Sequence, residues 1–97
     1  MKEVYTNGVI KDCRGIKLGE LKQGIVRDAS GRNLGSFNNG YVRDNTGRNI
    51  LVVNSGSVKN TTGKTLGKIS DFTIKGMERE SDGNIVAVYH FLVKKLN

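Results

Sequence analysis

The chain has 97 residues, 36% of them hydrophobic, with 16 Lys and Arg against 9 Asp and Glu for a net charge of +7. This length predicts one domain, residues 1–97, with a modest core. A single cysteine, Cys13, excludes an internal disulfide framework, and the absence of a long apolar run predicts no membrane span and a cytoplasmic setting.

Taken in chain order, Val4-Tyr5 reads as a short N-terminal strand, and a repeated sentence follows. Gly8, Gly24, Gly40 and Gly56 each open a unit near 8–23, 24–39, 40–55 and 56–71. The units run VIKDCRGIKLGEL, IVRDASGRNLGSF, YVRDNTGRNILVV and SVKNTTGKTLGKI. Such self-similarity is the mark of a repeat architecture whose units pack on their neighbours. In the second unit, Asp28 opens a type I turn and Gly31 supplies the positive φ of a three-residue hairpin loop. Val26 is then expected opposite Leu34, and by the same pairing Ile10 opposite Leu18, Val42 opposite Ile50 and Val58 opposite Leu66. The junctions Gln23-Gly24, Asn39-Gly40 and Ser55-Gly56 read as two-residue hairpin turns. They set Leu21 against Val26, Phe37 against Val42 and Val53 against Val58.

Leu34 and Phe37 are three residues apart, yet both should face the core, so strict alternation must fail between them. Gly35 stands there, with Gly19 and Gly67 at the equivalent places, and a kink or bulge is expected at each glycine. Leu51 breaks the pattern, which predicts a third unit bent differently or buried on both faces. After the repeats, Phe72-Thr73-Ile74-Lys75 begins like another unit, and Met77 to Asp82 is charged and irregular. Ile85 to Val93 is almost continuously apolar and rich in β-branched and aromatic residues, so it is expected as a C-terminal closing strand within an atypical unit, 72–97, with a helix over Ile85–Lys95 as the less favoured alternative. The same strand could instead pair across a homo-oligomer. The fold expected is therefore all-β, a pseudo-symmetric meander of hairpin repeats, open or closed like a small barrel.

The repeat G-x-V-R-D-x-x-G-R-x-[LI]-G, with the terminal AVYHF, resembles the bacterial β-flower repeat proteins over about residues 8–93. That resemblance implies hairpin petals arranged about a pseudo-rotation axis, and no assigned activity.

Most chemistry-bearing residues are already explained by the repeat. Gly63-Lys64-Thr65 looks like the end of a phosphate-binding loop, but Val58 stands where the motif needs glycine. Asp12, Asp28 and Asp44 recur like metal ligands, yet each has a turn to cap, and Asn60 replaces the fourth. His90 reads as a satisfied core or interface histidine, and Cys13 as a permissive loop residue. No catalytic, cofactor-binding or metal site is predicted. The residue before each turn Asp or Asn remains unexplained by folding: Lys11, Arg27, Arg43 and Lys59. Arg32, Arg48 and Lys64 add charge on the far side of the turns. The expectation is a non-enzymatic structural or interaction module with an unidentified protein or polyanionic partner. The alternatives are a polyanion or nucleic-acid binder using those seven residues, and a carbohydrate or small-ligand binder near the pseudo-axis.

Overall fold

The repeat's turn chemistry builds the sheet. At the junctions, Asn7, Gln23, Asn39 and Ser55 take φ of 51–54° and the glycines that follow take 80–85°, the left-handed pair that a type I′ turn requires. At the other end of each hairpin, the carboxylate or amide of Asp12, Asp28, Asp44 or Asn60 accepts the N–H groups two and four residues on. The two turn types alternate and fold the chain into nine short antiparallel strands in sequence order: β1 Val4–Thr6, β2 Val9–Lys11, β3 Lys17–Lys22, β4 Ile25–Asp28, β5 Asn33–Asn38, β6 Tyr41–Asp44, β7 Asn49–Asn54, β8 Ser57–Asn60 and β9 Thr65–Lys68. The coordinates are a computed structural model that describes residues 3–96. Met1, Lys2 and Asn97, at the extremes of the expected domain and its closing unit, lie outside the described residues.

The predicted junction pairs hold: Leu21 with Val26, Phe37 with Val42 and Val53 with Val58. The pairs within units are displaced by one residue. Val26 is opposite Gly35, Ile10 opposite Gly19, Val42 opposite Leu51 and Val58 opposite Gly67. The register slips in every unit because Leu18, Leu34, Ile50 and Leu66 are each an extra residue on their strand. The bulge therefore lies one residue before the glycine, and it delivers the parity change that the apolar spacing demanded. The third unit bends like the others, and Leu51 fills the inward place that glycine leaves empty elsewhere.

The C-terminal closing strand is replaced by helix. Residues Asp82–Val88 form α1, and Tyr89–Val93 continue it as one wider π turn closed by the Lys94 N–H on the Tyr89 carbonyl, 2.9 Å. Ser81 caps the start, its Oγ accepting the Asn84 N–H at 3.3 Å. Within the apolar run Val86, Ala87 and Val88 are fully buried where the helix lies on β5, β6 and β7, and Ile85, Tyr89 and Phe91 to Val93 are half-buried around them. No strand remains there to pair across a dimer. Four inward aliphatics, Ile10, Val26, Val42 and Val58, are likewise at 0% exposure and share one core with the helix, Phe72, Ile74 and Met77. Each such side chain contributes about 1.5–3 kcal/mol by leaving water.

The inward glycines make room for this cover. A Cβ on Gly35 would run into the Arg43 carbonyl and the Phe91 ring, and one on Gly19 into the Arg27 carbonyl and Leu92. Phe37 meets Gly83 of α1 in the same way. The sheet does not close into a barrel. Its ends approach through the segment after β9, where Lys75 pairs with Val4 in parallel and accepts the Tyr5 N–H at 2.7 Å. Substituting Gly35 by Val should therefore cost at least about 2 kcal/mol in urea denaturation, because a backbone carbonyl cannot step aside. Ser36→Val, one residue along on the outer face, should cost far less; equal tolerance of the two would refute the packing assigned to Gly35.

Candidate functional site: the turn rim and its cleft

The seven basic residues singled out by the repeat lie along one end of the sheet. Lys11, Arg27, Arg43 and Lys59 stand at or next to the ends of β2, β4, β6 and β8, on the face opposite the buried aliphatics. Arg32, Arg48 and Lys64 follow the turn glycines and are exposed. Adjacent units are two strands apart, so equivalent charges recur about every 10 Å. They form a row along the turns.

Hydrogen bonding compensates this charge only in part: Arg32 and Arg48 each lie within the field of their turn carboxylate, Asp28 and Asp44. Arg27 Nη1 donates to the Gly31 carbonyl at 3.3 Å, and Arg43 Nε to Asn49 Oδ1 at 2.7 Å, both neutral acceptors. Among the described residues the ion pairs are Arg14 with Asp12 and Lys17 with Glu20, and neither uses one of the seven. In the first unit Ile16, 52% exposed, holds the place of Arg32, and the nearby Arg14 is paired with Asp12.

The aspartates at this rim are occupied as turn caps. Oδ1 of Asp28 accepts the Ser30 hydroxyl at 2.7 Å and the N–H groups of Ser30 and Arg32, both at 2.9 Å. Asp44 does the same with Thr46 and Arg48. Asn60 does it with Thr62 and Lys64, although it carries no charge. The predicted reading of the Asp series as turn chemistry thus matches where their oxygens go. Gly63-Lys64-Thr65 leads from a turn into β9, so it lacks the helix that a phosphate loop feeds.

Sequence reasoning missed a cleft of about 490 Å³ at the same rim, lined by Asp44, Ile50 and His90 to Lys95. The misassigned closing strand hid it, because only as a helix does this segment bring Lys94 and Lys95 beside the third turn. The pair of lysines just after the apolar run was the available signal, since cations gather at helix C-termini. A second depression of about 280 Å³ lies between the third and fourth turns, lined by Arg48, Asn49, Ile50 and Asn60 to Thr62. Ile50 belongs to both, so the two adjoin.

His90 is 6% exposed, and its Nδ1 accepts the Leu96 N–H at 2.9 Å, which fixes the C-terminal segment against the cleft. Its neutral ring therefore carries the proton on Nε2. Burial, and then the charge of Lys95, hold its pKa below the ordinary 6.5. Neither Tyr5 nor Tyr41 is at the rim. The Tyr5 hydroxyl donates to Glu80 at 3.0 Å, and Tyr41, 38% exposed, follows the junction turn at the opposite end of its hairpin. That end also holds the start of α1 with Glu80 and Asp82.

Two groups of titrating side chains set the response below neutral pH. The native pKa values of Asp12, Asp28 and Asp44 lie below the ordinary 3.8, led by the Ile16 N–H for Asp12 and by the Ser30 and Thr46 hydroxyls for the others. Their stabilisation is present above that value and is lost as pH falls through the native ones. His90 is also depressed, so the unfolded chain takes its proton first and stability falls as pH drops from about 6.5. Urea melts against pH should show both descending limbs. His90→Gln should remove the upper limb, and Asp28→Asn, which keeps the cap as Asn60 does, should blunt the lower. A flat wild-type profile between about pH 7 and 5 would contradict the His90 assignment.

Among the described residues, no helix is long and apolar enough to cross a membrane. No family model, curated protein or solved structure matches the chain.

Proposed function

We propose that this chain is a non-enzymatic interaction module that holds a polyanion along its basic turn rim, on a β-flower type of scaffold. The observation that carries the proposal is the row of Lys11, Arg27, Arg32, Arg43, Arg48, Lys59 and Lys64, whose charges meet no carboxylate in an ion pair among the described residues. Turn formation accounts for the Asp and Gly of the repeat, but it does not require a cation on the outer face beside each turn. The cost of keeping like charges together is repulsion, and an anionic partner relieves it while releasing its own counterions. The non-enzymatic part is supported by the side chains that could do chemistry. The turn carboxylates and His90 Nδ1 already accept backbone N–H groups.

Heparin chromatography at increasing salt provides the test. The wild type should be retained at low salt, and Arg27→Ala/Arg43→Ala should elute earlier with a salt slope shallower by about 1–2. Absence of retention at low salt would overturn the proposal.

A further inference from the structure

We infer that the polyanion is single-stranded nucleic acid, with one unpaired base entering the cleft between the π turn and the third hairpin turn. The inference rests on the polyanion reading of the rim and names its chemical class. A sulfated sugar or an inorganic polyphosphate carries no flat aromatic group beside its charge. This cleft presents more: Ile50, Phe91 and Val93 contribute apolar surface, while Lys94 and Lys95 lie at the same opening. A ligand that matches both must carry flat apolar groups on an anionic thread, which describes an unstacked nucleotide chain. Its volume of about 490 Å³ falls within the range of small-ligand clefts, about 300–1,000 Å³.

Polar groups in the cleft suit a base as well. The Asp44 carboxylate, held in place by Thr46 and the Arg48 N–H, is an acceptor for the amino or imino protons of a base edge. The same carboxylate repels phosphate, so the phosphates belong at Lys94 and Lys95. On the other side of Ile50, the adjoining depression leads past Arg48 toward the fourth turn, where Asn60 and Thr62 lie. A strand following that course keeps its backbone on the basic rim while one base turns inward. Duplex nucleic acid can do this only by unpairing and unstacking a base, which costs free energy.

Fluorescence anisotropy with a labelled oligothymidylate tests the inference, with a duplex of equal length, heparin and polyglutamate as competitors. The oligonucleotide should bind at least about tenfold more tightly than the duplex at one salt concentration, the worth of a single stacked base. Ile50→Gln, which changes the apolar wall without changing charge, should bring the two affinities together. Should that variant fold poorly, wild-type NMR keeps the question open to decision: base protons should show nuclear Overhauser contacts to the Ile50 methyl groups. Equal affinity for single strand and duplex, tighter binding of polyglutamate, or no contact to Ile50 would overturn the inference. If heparin is still retained in those cases, the polyanion reading of the rim stands and only the single-strand assignment falls; loss of heparin binding removes both.

Discussion

A single meander of short strands has one apolar face and no second sheet to lie on it, so the fold depends on what covers that face. Here the cover is the C-terminal helical segment. It lies over β5, β6 and β7, and with Phe72, Ile74 and Met77 it completes one core with Ile10, Val26, Val42 and Val58; the sheet in turn is shaped to receive it. Wherever Phe91 or Leu92 approaches the sheet, the inward position is a glycine; at Leu51 the sheet supplies the side chain itself. Repeat and tail are thus complementary halves of one core. A unit that kept Val26 but carried a larger residue at Gly35 would clash with its own lid.

The same arrangement creates the rim. Because α1 enters beside the junction turns and finishes beside the Asp turns, its last residues carry Lys94 and Lys95 to the end of the sheet where the repeat has already placed its arginines. The acidic residues near the start of α1 lie at the other end. A row of this kind concentrates potential instead of spreading it over the surface. The π turn contributes as well. It widens the helix at Tyr89–Val93, and His90 from that turn fastens the chain end through Leu96.

Much of this was legible from residue order. Turn types, junction registers and the repeated units follow from Asp, Asn and Gly at fixed places, because those residues act locally through φ and short hydrogen bonds. The parity conflict between Leu34 and Phe37 was legible too, but its resolution was assigned to the wrong atom group. Gly35 looked like the bulge because glycine weakens strands, whereas the bulged residue is Leu34 and the glycine is there for a ring some 56 positions away. That partner is non-local, and no periodicity within a unit could reveal it. The helix was misread for a related reason. Nine mostly apolar residues rich in Val, Ile and aromatics favour a strand by propensity, and three consecutive buried residues, Val86 to Val88, blur the helical period. Ser81 as an N-cap, and a run longer than the strands of the repeats, were the weaker signals that pointed the other way.

The central claim is that sheet and helix are one cooperative unit, and native-state hydrogen exchange measures this directly. The amide protons of Val26, Val42 and Val58 should open with the same free energy as those of Val86 to Val88, within about 1 kcal/mol, because uncovering the sheet is unfolding it. If the helix amides exchanged through a much smaller opening while the strand amides stayed protected, the sheet would be stable without its cover, and the account would be wrong.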